Sequence, residues 1–163
     1  MARGIIAIFG SGRILEKDPQ YRLARQCGCL IAENGYILLT GGLGGIMEAA
    51  SRGAKEANGL TIGILPGDRH STPANPYVDI PIYTGMGEAR NSINVKSCDA
   101  AIAIGGEYGT LSEIALCLKI GCPLVLLSSW SFQPHNGSTP GAAFTLSASA
   151  ADAVARVMAL LRN

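Results

Sequence analysis

At 163 residues the chain is long enough to bury one substantial core, and no internal repeat or long linker divides it. It is 48% hydrophobic, holds 21 glycines and is only 15% charged, which excludes a disordered or fibrous chain and points to a buried sheet. With a net charge of +1, bulk electrostatics favour neither nucleic acid nor a membrane, so any preference for anions must come from local amides and a few arginines.

The first residues run directly into Ile5–Phe9, an apolar stretch too short to cross a membrane and suited to a first strand. Pro19–Asn34 follows as a helix closed by Asn34-Gly35, then Tyr36–Leu39 as a strand and Gly45–Asn58 as a second helix, again closed by Asn-Gly. Thr61–Leu65 is the third strand. Pro66–Pro76 is a loop of turn formers, Val78–Ile82 a strand and Glu88–Lys96 a helix. Ala100–Ile104, Leu111–Ile120 and Leu124–Leu127 continue as strand, helix and strand. Ser128–Ser147 is polar, with glycine and proline, and is expected to be a mobile surface segment. Ser149-Ala-Ala-Asp152 has the form of a capping box and opens a last helix through Leu161. Short apolar strands alternating with helices predict a single α/β domain over residues 1–163. Its expected form is a Rossmann-like open parallel sheet, helices on both faces, with a ligand crevice at the strands' carboxyl ends.

Five cysteines (Cys27, Cys29, Cys98, Cys117 and Cys122) follow no C-x-x-C spacing. They are read as reduced thiols acting as small apolar residues, not as metal ligands, which fits a cytoplasmic protein.

Two glycine-rich turns stand where a strand meets a helix: Thr40-Gly41-Gly42-Leu43-Gly44-Gly45 and Gly105-Gly106-Glu107-Tyr108-Gly109-Thr110. Glycine leaves no Cβ between the amides and a ligand, and a following helix start adds unpaired N–H groups and about half a positive charge. Two such phosphate-binding loops imply an anionic ligand held between them. Ser11-Gly12-Arg13, at the end of the first strand, suits a phosphate or a purine-like ring, although a plain turn with a solvated arginine fits the same residues. The G-x-G-x-x-G spacing is incomplete and no acid ends the second strand, which weakens a dinucleotide site.

Glu113 follows Thr110 by three residues and admits two readings: a helix cap, or a crevice carboxylate facing a sugar or serving as a general acid or base. Glu48 carries the same ambiguity, and Glu107 adds a third acid. Arg90, at the start of its helix, either grips phosphate bidentately or forms a surface salt bridge. His70 and His135 lie in loops and are read as exposed. The Asn136-Gly137-Ser138 sequon carries little weight without a secretory signal.

Gly41-Gly42-x-Gly-Gly-x-Met47 together with Gly105-Gly106-x-Tyr-Gly-Thr-x-x-Glu113 resembles the superfamily of cytokinin-activating phosphoribohydrolases. The resemblance runs from Ile5 to Leu127 and places Arg90 and Glu113 on that superfamily's catalytic arginine and glutamate. Four positions depart from the hydrolases: Gly105 replaces proline, Glu107 a glycine, Asn91 a lysine and Glu48 a glycine. The runs Thr40–Ala50, Ile62–Gly67, Thr84–Asn91 and Gly109–Glu113 are similar to those of the molybdenum cofactor carrier proteins. That resemblance implies a homotetrameric binding protein that stores and protects the phosphate-bearing molybdopterin cofactor and passes it to molybdoenzymes. It places the cofactor on Ser11, Gly12, Arg13, Gly41, Gly42, Gly44, Gly45, Arg90, Gly105, Gly106, Tyr108, Gly109 and Thr110. The wider superfamily implies a rival: hydrolysis of the N-glycosidic bond of a nucleoside 5′-monophosphate by Arg90 and Glu113.

Overall fold

The computed structural model describes residues 2–131 and 144–162. β1 (Ile5–Gly10) and β5 (Ala100–Ile104) are near-continuous apolar runs, and such runs are stable only between two layers of helices. They pair in parallel, from Ile6 opposite Ala100 to Gly10 opposite Ile104, at the middle of one sheet. β2 (Ile37–Thr40), β3 (Thr61–Leu65) and β4 (Ile80–Tyr83) lie on one side of this pair. β6 (Leu124–Leu127) and β7 (Phe144–Ser147) lie on the other. The order is β4-β3-β2-β1-β5-β6-β7 and every pairing is parallel, the expected α/β open sheet.

One face carries α1 (Pro19–Glu33), α2 (Ile46–Glu56) and α5 (Ala150–Leu160) over Ile6, Ile8, Leu38 and Ile102. The opposite face carries α3 (Asn91–Lys96) and α4 (Tyr108–Ile120) over Ala7, Phe9, Ala103 and Leu126. The chain winds outward from β1 in one direction, then returns to β5 and winds the other way. The switch point between β1 and β5 is where such sheets open a crevice.

α1 and α2 pack closely because both carry glycine at the crossing. A Cβ on Gly28 would overlap the carbonyl of Ala50, and one on Gly53 the carbonyl of Arg25.

Several boundaries differ from the sequence reading. The segment expected to be mobile, Ser128–Ser147, ends in β7, which pairs with β6 from Phe144 opposite Leu124 to Ser147 opposite Leu127. A four-residue edge strand has too short a pattern to separate from a loop. His135 and the Asn136 sequon lie outside the described residues, while His70 is exposed as expected. The Glu88–Lys96 helix divides into a 3-10 turn, Gly87–Arg90, followed by α3. α4 begins at Tyr108, three residues earlier than read. Ser149 does cap α5, its hydroxyl accepting from the Asp152 N–H at 3.2 Å. Among the described residues no helix is long and apolar enough to cross a membrane, and no cluster of side chains is arranged to hold a metal ion.

Gly53→Ala tests the helix crossing. Helix propensity favours alanine by about 1 kcal/mol, but overpacking against the Arg25 carbonyl costs about 1–3 kcal/mol. A lower midpoint in thermal unfolding is expected; an unchanged or higher one would mean that the two helices separate freely.

Candidate functional site

A cavity of about 600 Å³ opens at the carboxyl ends of β1 and β5. Its walls are Ser11–Arg13 after β1, Gly41 and Leu43 after β2, the 3-10 turn with Glu88 and Arg90, and the first turns of α4. The two glycine-rich turns therefore flank one crevice, but they do not contribute equally.

The second turn is the open one. Tyr108, Gly109 and Thr110 form the first turn of α4, where main-chain N–H groups have no partner within the helix. Glu107, at the cap position, makes no side-chain cap bond to them. A Cβ on Gly109 would meet nothing closer than Glu88 Oε2 at 3.9 Å, so the space in front of this helix end is free. Such an end, carrying the positive pole of the helix dipole, is an anion site.

The first turn is largely closed by the protein itself. The Ile46 N–H at the start of α2 donates to the Ser11 carbonyl at 3.0 Å. Gly44 faces the Gly12 carbonyl, and a Cβ on Gly45 would strike Ser11. The Gly42 carbonyl accepts from the Asn75 N–H at 2.9 Å and its Nδ2 at 3.2 Å. Of this turn's four glycines only Gly41 lines the cavity. Gly105 and Gly106 line a neighbouring cavity, while Ser11, Gly12 and Arg13 line the main one.

Arg90 is buried, at 7% exposure. Its Nη1 donates to the Ile64 carbonyl at 2.7 Å, and among the described residues its Nε has no partner. The guanidinium lies so close to Gly41 that any Cβ there would overlap it. Among the described residues no carboxylate stands within ion-pair distance of Arg90. Burial lowers its pKa, opposed by the nearby charges of Glu113 and Glu88. An unpaired buried cation costs several kcal/mol, a cost that a bound anion relieves.

Glu113 lies in the second turn of α4, facing inward, so it is no cap for the helix start. Its Oε1 accepts from Asn94 Nδ2 at 2.8 Å. Burial raises its pKa to about 7, against the opposing hydrogen bond from Asn94 and the charge of Arg90. Asn94, missed in the sequence, sits one helical turn after Arg90; that i, i+4 spacing was the available signal. Glu107 is exposed, receives the Ser11 hydroxyl at 3.3 Å and stands 3.9 Å from Arg13 Nη1. Near neutral pH the lining is thus nearly balanced in charge, with the free positive potential concentrated at Arg90 and the α4 amides.

The family model described as the SLOG cluster4 family matches residues 3–155. The chain belongs to that family. Its fold is similar to the molybdenum cofactor binding protein of the phototrophic bacterium Rippkaea orientalis, with a TM-score of 0.87 and 40% identity over 99% of both chains. The molybdenum cofactor carrier protein of Chlamydomonas reinhardtii superposes with a TM-score of 0.81 and 38% identity over 98% of each chain. An uncharacterized protein of Archaeoglobus fulgidus is 51% identical over 116 residues, 71% of this chain and 74% of that one.

The raised Glu113 pKa has a defined consequence. Between pH 4.5 and about 7 the unfolded chain ionises this carboxyl while the folded chain keeps it protonated, so stability falls with rising pH across that window. Glu113→Gln removes the effect: the variant is expected to be more stable than the parent at pH 8, by about 3 kcal/mol at most, and equal at pH 4. Denaturant midpoints at the two pH values measure this; a gap independent of pH would contradict a buried protonated carboxyl.

Proposed function

We propose that this protein is a carrier for the molybdenum cofactor, holding a phosphate-bearing pterin in the crevice and delivering it to molybdoenzymes. The unpaired guanidinium of Arg90, set beside the open start of α4, carries this reading. In it, the ligand's anionic end takes hydrogen bonds from the amides of Tyr108, Gly109 and Thr110 and is neutralised by Arg90. Ser11, Gly12, Arg13 and Gly41 form the adjoining wall. Gly42, Gly44, Gly45, Gly105 and Gly106 act behind it, shaping the turns. The metal belongs to the cargo, and the chain supplies no ligand to it. Similarity to cofactor-binding and carrier proteins over nearly the whole chain supports the assignment.

Carrying needs selective binding and exclusion of water, and both follow from the site. Dipole and guanidinium recognise the anion, while Phe9, Leu43 and Met47 give part of the cavity an apolar wall. Protonated Glu113 leaves the Arg90 charge available; once ionised, it competes with the anion for that charge. Cofactor retention is therefore expected to weaken as pH rises through about 7. We also assign a homotetramer: Ile80 and Ile82 are 44% and 45% exposed on β4, an edge strand whose apolar side chains favour cover by another copy.

Arg90 and Glu113 also stand where a phosphoribohydrolase would need them, and a carboxyl with a pKa near 7 suits a general acid. One experiment separates the two functions. Protein incubated with released cofactor should retain molybdenum and restore activity to an apo-molybdoenzyme, and should free no purine from AMP. Gly109→Val, whose side chain enters the open space before α4, should keep its unfolding midpoint and lose at least tenfold in retained cofactor. Purine release that vanishes in Glu113→Ala would overturn the carrier assignment. Full retention by Gly109→Val would overturn the anion site.

A further inference from the structure

A second cavity, of about 440 Å³, adjoins the first across Ser11 and Glu107, which line both. Its other walls include Ile14, Gln20, Ser128, Ser129 and Trp130. Its character differs from that of the main crevice. Among the described residues it has no cation in its lining and its one charged residue is the carboxylate of Glu107, which disfavours phosphate. It offers an aromatic face instead: Trp130 pairs with Tyr108 at 6.1 Å between ring centroids and 37° between planes. Two local features set this wall apart. Among the described residues, Trp130 Nε1 is buried with no hydrogen-bond partner. Ser128, in the wall, has φ of 49°, a left-handed conformation uncommon for a residue other than glycine. Ser129 Oγ donates to the Gly105 carbonyl at 2.6 Å and braces this wall against the end of β5.

We infer that this second cavity binds a flat heteroaromatic ring bearing a 2-amino-4-oxopyrimidine edge, the edge shared by pterins and guanine, stacked on Trp130 with its N–H groups donating to Glu107. The aromatic wall supplies stacking, which tolerates any π face. Glu107 supplies discrimination, because a carboxylate only accepts and that edge presents adjacent N–H donors. Ser11 and Arg13, both bonded or close to Glu107, hold the carboxylate between the two cavities. A ligand with an anionic end and such a ring then spans the whole crevice, phosphate at α4 and ring at Trp130. This deepens the carrier function proposed above and rests on it.

Trp130 is the chain's single tryptophan, so its emission reports on this cavity. The wild-type protein is titrated with GMP, AMP and inorganic phosphate. GMP is expected to quench the emission saturably and to bind at least tenfold more tightly than AMP, while phosphate leaves the emission unchanged. In calorimetry, Glu107→Ala should erase the preference for GMP over AMP, and Trp130→Ala should weaken GMP at least fivefold with the unfolding midpoint retained. Competition by 6-hydroxymethylpterin against GMP identifies the pterin ring as a natural occupant; GMP binding without such competition identifies a guanine nucleotide. Equal affinity for GMP and AMP, or binding that leaves Trp130 emission unchanged, overturns the inference. Cofactor loading is measured in parallel on the wild type. Normal loading alongside a failed guanine preference refutes the ring site alone, and absent loading alongside an intact preference refutes the carrier function alone.

Discussion

A positive charge buried without an ionised partner at contact distance governs this molecule's crevice. Arg90 reaches its place only because Gly41 has no side chain and because the Ile64 carbonyl, on β3, accepts from its Nη1. Two strands, β2 and β3, and the 3-10 turn before α3 therefore cooperate to hold one guanidinium. Nearby Glu113 makes no ion-pair contact with it, and burial raises that carboxyl's pKa to about 7. The protein thus maintains a buried cation with no carboxylate at contact distance among the described residues. A bound anion would offset the cost of such a group, and the adjacent helix start adds to the same potential.

The sheet's topology explains why only one of the two similar turns is free. α2 lies against α1, drawn in by Gly28 and Gly53, so its amino terminus is pressed onto the loop after β1 and spends its leading amide on the Ser11 carbonyl. α4 lies on the other face, touched by that loop only through Glu107, and its first amides face open space. The first turn shapes the crevice, and the second leaves its helix start open to it. Ser11 serves both roles: its carbonyl ties down α2, and its hydroxyl donates to Glu107 at the boundary between the two cavities.

Membership of the SLOG cluster4 family places these features on a scaffold whose similar structures include cofactor-binding and carrier proteins. A carrier and a phosphoribohydrolase can share such a scaffold because both need a phosphate grip at the same switch point. They diverge in what surrounds it. Here the acids Glu88 and Glu107 add negative charge to the lining, and the second cavity favours a neutral ring over another anion.

The alternation of short apolar runs with helices was enough to determine an open parallel sheet, because strands buried on both faces leave no polar alternation and few other folds accept them. The glycine turns and the Ser149 cap were equally legible, being local. Position within α4 was not: three residues of extra helix turned Glu113 from a possible cap into a buried carboxyl, and helix starts depend on what the preceding loop packs against. β7 was hidden for the same reason, since Phe144–Ser147 is a strand only because β6 offers it an edge. The bonding of Arg90 to Ile64 over 26 positions of chain, the closure of the first turn and the aromatic wall at Trp130 were decided by tertiary structure alone. Sequence records which groups can bind an anion; folding decides which of them are left without an internal partner.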